Sequence, residues 1–284
     1  MRGRLSRIRR AVRPRYLDYT LRDARQLVQL LDIVPGRRAK LRTIAVWSAL
    51  ARRPGRRWTV NWRVPDGSFT AVVTDVSELK VLHEVFVAGE YEQVRSLSPD
   101  VVVDLGSNVG ISVLYFRALF PRARIVAVEP DASAYARLQQ NTAHLSGVTT
   151  VQAAIGDHDG EVTLYSGTES WAASTTASAR TPVAARVPGR TLESLAEELM
   201  LEPIGLLKMD IEGGEITVLE AEAARRAEAI VLEFHQEHTE RSLWEVLEGL
   251  PDHELVHLHG DSAAHPVLTL RRRSGAGSGE VPGA

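Results

Sequence analysis

A chain of 284 residues with 44% hydrophobic and 25% charged content has the make-up of a globular protein, either one large domain or a core domain with a smaller appendage. It has no cysteine, which excludes disulfides, thiolate zinc sites and cysteine nucleophiles. It also lacks any apolar run near the roughly 18 residues that cross a bilayer. The net charge of −2 hides a polarity: residues 1–65 carry 18 Lys/Arg against Asp18, Asp23 and Asp32, hence +15, leaving −17 on the other 219 residues. The basic start has no continuous apolar segment of the secretory kind, so a cytoplasmic location is expected.

In chain order, Leu5, Ile8 and Val12 fall at helical spacing among Arg2, Arg4, Arg7, Arg9, Arg10 and Arg13. Such an arm suits an anionic membrane surface or a nucleic acid, or is simply a solvated leader. "LRDARQLVQLLDIVPG" (21–36) carries a helical apolar stripe closed by Pro35-Gly36, and a second helix is expected from about Ala39 to Arg52. "WTVNWRV" (58–64) alternates as a strand, Pro65-Asp66-Gly67 signals a turn, and "SFTAVVT" (68–74) returns. Trp58 and Trp62 share one face of that strand; beside Arg56, Arg57 and Arg63 they form either a stacking platform for nucleic acid or, the preferred reading, a hairpin packed on a core. A helix around Glu78–Val87 completes an appendage spanning residues 1–95.

Beyond Pro99, apolar strands alternate with helices, the pattern of a parallel α/β sheet covered on both faces. The expected strands are "VVVDL", "ARIVAVE", "VTTVQAAI", "IGLLKMD", "AIVLEFH", "HELVHL" and "PVLTLR", the last two adjacent in sequence and so forming an antiparallel edge. Helices are expected at "GISVLYFRALF", "ASAYARLQQNTAHL", "TLESLAEELM", "EITVLEAEAARRA" and "ERSLWEVLEGL". A hairpin-like insertion with a Ser/Thr/Ala-rich loop occupies about Gly160–Pro188. Its Trp171 is either a substrate contact on a lid or a buried anchor of a surface loop. The core domain is expected over 96–271 and a disordered tail over 272–284.

"VVVDLGSNVGISVLYF" reads as strand, tight loop and helix, with Asp104 at the strand end. Glycines let backbone approach a ligand, and the helix start offers free N–H groups. Glu129 ends the next strand, 23 residues after Gly106, where a carboxylate suits ribose hydroxyls. The loop Gly106-Ser-Asn-Val-Gly110 lacks the middle glycine of a dinucleotide fingerprint and the Lys-Ser/Thr of a phosphate loop, which disfavours a nucleotide-dependent oxidoreductase.

In "LLKMDIEGGE" (206–215), Lys208, Asp210 and Glu212 project from one face of a strand end, and "AIVLEFH" repeats the device with Glu233 and His235. A carboxylate or His235 there can act as general base. Alternatively Asp210, Glu233 and His235, with or without Glu212, hold Mg²⁺ or Mn²⁺. The plainer account has Lys208 neutralising the acids in a structural network and Glu212 capping the following helix.

These segments together resemble the FkbM family of S-adenosylmethionine-dependent methyltransferases. "LLKMDIEGGE" is similar to its KxDxEGxE signature, and "TDVSELKVLHEVFVAGEYE", "VVVDLGSNVGISVLYF", "IVAVEPDASAYARLQQN", "VQAAIGDHDGEVTLY", "GRTLESLAEEL" and "VLEFHQEH" follow the family's order over roughly 69–238. The resemblance implies a Rossmann-like class I methyltransferase fold, α/β with a mostly parallel seven-stranded sheet, here with an N-terminal helical and hairpin extension. It implies S-adenosylmethionine as cofactor and a hydroxyl acceptor on a small molecule, sugar or lipid. By it Asp104, Gly106, Ser107, Asn108, Gly110, Glu129 and Pro130 bind the cofactor, with Asn141, Ala154 and Asp157 near its adenosine, and Asp210, Glu212 and His235 line the methyl-transfer site. The alternative is a nucleic-acid- or membrane-associated binding protein that uses the basic arm and carries a non-catalytic Rossmann module. Glu90-Tyr91 is a candidate to cover the cofactor or to join the core, and His253, His257 and His259 are expected to be solvated rather than metal-bound.

Overall fold

The computed structural model describes residues 22–166, 173–174, 183–211, 213–259 and 265–273. The arginine-rich arm before residue 22, Trp171, Glu212 and the tail from 274 lie outside them. The chain forms two compact units, Met1–Gly89 and Glu90–Ala284.

In the first unit, helix α1 (22–33) is followed after Val34-Pro35 by α2 (Gly36–Arg52), three residues earlier than the sequence suggests. Gly36 adopts φ +77°, a left-handed conformation glycine tolerates, and so one helix follows the other with almost no loop. Thr43, Val46, Trp47 and Leu50 form the buried stripe of α2. Strands β1 (Trp58–Val64) and β2 (Gly67–Val73) pair antiparallel, with Val64 opposite Gly67 across a two-residue turn. Trp62 is buried, stacked on Phe69 at 5.6 Å between ring centroids and edge-on to Phe86 at 5.2 Å. That burial makes the hairpin a packed element and removes Trp62 from any exposed stacking platform. Helix α3 (Val76–His83) is capped by Asp75, which accepts from the Ser77 N–H, and runs into a π-helical turn that ends at Gly89, φ +76°.

The second unit is built on a seven-stranded sheet. Its strands are β3 (Val101–Leu105), β4 (Arg124–Val128), β5 (Val148–Val151), β10 (Leu206–Met209), β11 (Ala229–Glu233), β12 (His253–His259) and β13 (Val267–Arg272), arranged in the order β12-β13-β11-β10-β3-β4-β5. β3, β4, β5, β10 and β11 are parallel, and β13 inserts antiparallel between β11 and β12. This is the Rossmann-like methyltransferase arrangement expected. The order reverses beside β3, because β4 lies on one side and β10 on the other, which opens the crevice where α/β sheets place ligands. Strands with both faces covered need continuous apolar runs, and β10 is buried at every position. Helices α4 (Ile111–Leu119), α5 (Ala132–Thr142), α6 (Leu192–Leu199), α7 (Glu215–Glu220), α8 (Glu222–Arg226) and α9 (Leu243–Glu248) fill the crossovers.

A second, four-stranded sheet comprises β6 (Ala154–Ile155), β7 (Gly160–Ser166), β8 (Ala173–Ser174) and β9 (Val183–Arg190), ordered β6-β9-β7-β8. Two expectations fail here and in the helices. "VTTVQAAI" is not one strand: β5 ends at Val151, and Ala154 pairs instead with Gly189 of β9. Its last three apolar residues feed two cores, Ala153 and Ile155 in the main one and Ala154 in the small one with Leu164 and Val187. "EITVLEAEAARRA" is two helices rather than one. Ala221 is extended (φ −63°, ψ 140°), and the new helix start is satisfied by the Glu222 N–H donating to Glu193 Oε1 at 2.8 Å.

Candidate active site

The glycine loop is fixed from three directions. The Gly106 and Ser107 N–H groups both donate to the Val128 carbonyl, at 3.0 and 2.9 Å, tying the loop to the end of β4. The Ser107 hydroxyl donates to the Asp104 carbonyl, 2.8 Å, and the Asn141 amide donates to the Val109 carbonyl, 2.8 Å. Gly106 has φ +76°, and a Cβ there would lie 1.7 Å from the Asp210 carbonyl oxygen. Only glycine fits, so the cofactor-type loop and the end of β10 touch backbone to backbone. Asn108, at φ 46°, and Gly110, at φ +89°, complete the turn into α4.

Under this loop lies a buried ion pair. Asp104 (0% exposed) and Lys208 (2%) are register partners on β3 and β10, 3.1 Å apart. Lys208 also donates to the Gly106 and Leu105 carbonyls at 2.7 and 3.3 Å and stands 3.8 Å from Asp210. The Ser112 hydroxyl, in the first turn of α4, donates to Asp104 at 2.6 Å. Burial works against the Lys208 ammonium, but the Asp104 and Asp210 charges outweigh it and raise its pKa. The acid that Lys208 meets at short range is thus Asp104 on the neighbouring strand, with Asp210 farther off, and its bonds to the loop carbonyls make it a strut between loop and strand. Asp104 accepts from Ser112 on Oδ2 and faces the Lys208 ammonium with Oδ1.

Glu129, at the end of β4, is buried and accepts from the Asn108 N–H and the Asp131 N–H, both at 2.8 Å. Burial pushes its pKa up to about 7, against the pull of those two hydrogen bonds. Pro130 follows it directly. Ala154 is buried in β6, and Asp157 is an exposed residue of the next turn, its carboxylate 2.6 Å from His158 Nδ1, which lowers its pKa.

A second group of side chains gathers where β10 and β11 end. Asp210 is half-buried. Glu233 closes β11, and His235 follows, 2% exposed. Buried Glu215, the first residue of α7, accepts from the Gly213 N–H on both oxygens, at 3.1 and 3.0 Å. Those contacts mark it as an acceptor, so at 2.7 Å the His235 Nδ1–H donates to it. The tautomer that results presents the Nε2 lone pair, and Nε2 lies 3.9 Å from Glu233 Oε1. His265 stands on the other side of Glu233, Nδ1 to Oε1 3.8 Å, its ring 4.9 Å from that of His235. Burial first, then the Asp210 and Glu90 charges, push the Glu233 pKa up to about 9. Tyr91 is buried against Tyr115 and Phe116, and burial with the charges of Glu90, Asp210 and Asp104 raises its pKa well above the usual phenol value. Of the strand-edge histidines expected to be solvated, His253 is instead buried, with Nε2 3.0 Å from the Ala227 carbonyl, while the His257 and His259 rings lie 6.2 Å apart and tilted on β12.

The sequence reading missed Glu215 and His265. Glu215 was visible as the last acid of the signature stretch, but its partner is twenty residues away and found only through the fold. His265 reaches the group because β13 starts beside the end of β11, Val267 opposite Glu233 and the Phe234 N–H on the Pro266 carbonyl.

Comparison with known proteins gives the same family. The Methyltransferase FkbM domain profile matches residues 104–261. "Methyltransferase 1" of Beauveria bassiana (strain ARSEF 2860) is 26% identical over 166 residues, 50% of this chain and 66% of that protein, just under two thirds of its length. "2-O-methyltransferase NoeI" of Sinorhizobium fredii (strain NBRC 101917 / NGR234) is 28% identical over 195 residues, 58% of this chain and 78% of that one. Among solved structures, a putative rRNA-methylase from Clostridium thermocellum superposes with a TM-score of 0.45 at 11% identity, over 66% of this chain and 96% of the other. With the domain match extending over more than half its length, this chain belongs to the FkbM methyltransferase family.

Proposed function

We propose that the chain is an S-adenosylmethionine-dependent O-methyltransferase acting on a hydroxyl of a small molecule, sugar or lipid. The observation that carries this reading is the backbone contact of Gly106 with Asp210, which joins a nucleoside-type crevice to an acid-rich strand end. The donor set fits the cofactor. Glu129 offers a buried carboxylate to a ribose diol, and the loop from Gly106 to Gly110 carries no side chain where it meets the Asp210 backbone or where it packs on Leu138. The similarity to a relative named 2-O-methyltransferase supports oxygen as the acceptor atom.

The bound sulfonium would supply an electrophilic methyl group. The chain's own part is to hold the acceptor in line and to receive its proton. Asp210, at the strand end beside the loop, and the Nε2 of His235 are the groups we assign to that role, with Glu215 setting the imidazole tautomer. Lys208 and Asp104 act below them, fixing the loop rather than meeting substrate. The test is calorimetric titration of the protein with S-adenosylmethionine, S-adenosylhomocysteine and, as control, NAD. Micromolar binding of the first two alone is the expected result, and acceptor screening with Asp210→Ala and His235→Ala follows. Binding of neither adenosyl ligand would overturn the reading.

A further inference from the structure

The fold brings together one carboxylate and two imidazoles that the proposed methyl transfer does not require as a set. Glu233, His235 and His265 present donor atoms that all lie within 4.8 Å of one another. Both histidines approach the same carboxylate oxygen, Glu233 Oε1, at 3.9 Å from His235 Nε2 and 3.8 Å from His265 Nδ1. These separations are too long for hydrogen bonds. They suit donors facing a common ion, since ligands at about 2.1 Å from one centre stand about 3–4 Å apart.

Behind His235 is a second, independent feature. A metal-bound imidazole usually donates its other ring N–H to a carboxylate, which fixes the ring and the tautomer. Glu215 does this at 2.7 Å from a fully buried position, held in turn by the Gly213 N–H. The site is also open on one side, because Glu233 and His265 side chains are 29% and 33% exposed whereas His235 is 1%. That leaves room for water or a substrate oxygen to complete the coordination.

We propose that Glu233, His235 and His265 form a binding site for a divalent transition metal, with Glu215 holding His235 from behind. Two nitrogens and one carboxylate oxygen favour Mn²⁺, Fe²⁺, Co²⁺ or Zn²⁺ over Mg²⁺, which takes oxygen ligands. The expected set thus differs from the Asp210, Glu233 and His235 trio suggested by the sequence: His265 replaces Asp210. The role of the ion, though not the site, rests on the O-methyltransferase reading: it would bind the acceptor hydroxyl and acidify it, its proton passing to Asp210 as the methyl group leaves sulfur for oxygen. With the ion on Nε2, His235 is a ligand and not the base.

The test uses the full chain stripped of metal by chelation and titrated with Co²⁺ alone. Saturation at one equivalent with a visible ligand-field band is expected, with at least a tenfold weaker association in Glu233→Gln and in His265→Ala. His265→Gln substitutes if the alanine variant fails to fold by circular dichroism. Mn²⁺ added to the wild type should broaden the ring resonances of His235 and His265 before those of His257 and His259, which needs no variant. Absence of saturable binding, or variants that bind as the wild type does, would overturn the site. S-adenosylmethionine titration of the same wild-type sample separates the two ideas. Cofactor binding without Co²⁺ binding removes only the metal site, and Co²⁺ binding without cofactor binding removes only the methyltransferase role.

Discussion

At the scale of single residues, the site depends on which atom each side chain turns outward. Glu215 is buried, bonded to the Gly213 N–H and to His235, and acts through the imidazole, so it is a positioning residue. Glu215→Gln keeps an acceptor for Gly213 but can aim an amide N–H at Nδ1. The expected result is a shift of the His235 tautomer toward Nε2–H, read by long-range proton–nitrogen correlation. Once an acceptor is known, a fall in turnover on the order of 10²-fold is expected, as for loss of a general base or its orientation. An unchanged tautomer in the variant would remove Glu215 from the mechanism. Residue identity was legible in the sequence where one strand supplied it: Asp104, Glu129 and Asp210 each end a strand, where the parallel pattern puts chemistry. It was illegible where the partner came from another element. Neither Glu215 with His235 nor His265 with Glu233 leaves any periodic trace, because the pairs are made by β10, α7, β11 and the inserted β13.

At the scale of elements, the strut between β3 and β10 is the feature on which the loop rests. Removing one member of a buried pair strands the other charge, which costs about 3–5 kcal/mol. Lys208→Met should therefore lower unfolding stability by about that amount in urea titration. The double variant with Asp104→Asn should lose less than the sum of the single losses, because the two sites share one interaction. Additive losses would show that the 3.1 Å pair is energetically idle. Gly106→Ala probes the adjoining contact: with a Cβ 1.7 Å from the Asp210 carbonyl, β10 or the loop must move. S-adenosylmethionine affinity is expected to drop at least tenfold in a variant that remains folded by circular dichroism, and wild-type affinity would sink the idea that this backbone contact shapes the site. Elements with uniform patterning were readable in sequence, as β3, β4, β10 and β11 show. The breaks at Gln152-Ala153 and at Ala221 were not, since a β-prone stretch shared by two cores and an Ala/Glu run spanning two helices look continuous.

At the scale of the whole molecule, the protonation of one buried acid links folding to cofactor binding. Glu129 has a folded pKa of about 7, raised above its ordinary value of 4.5, chiefly by burial. Between those values the native state keeps a proton that the unfolded chain has lost. Its contribution to stability is full below pH 4.5 and declines as pH rises through about 7. Cofactor binding has the opposite sign. Ribose hydroxyls donate best to an ionised carboxylate, so the complex favours the deprotonated form and releases a proton when it forms below pH 7. The affinity for S-adenosylmethionine should then strengthen as pH rises through about 7 and level off beyond it. Ligand at a hundred times its dissociation constant adds about 2.7 kcal/mol to native stability, which raises Tm by roughly 5–10 °C in a domain of this size class. At one fixed ligand concentration the rise in Tm should be larger at pH 8 than at pH 6, measured by thermal unfolding against ligand-free controls at each pH. Glu129→Gln should bind more weakly and show equal rises at both pH values. Equal rises in the wild type would mean that the carboxylate is not the group the ribose meets, and the crevice at the end of β4 would need another occupant.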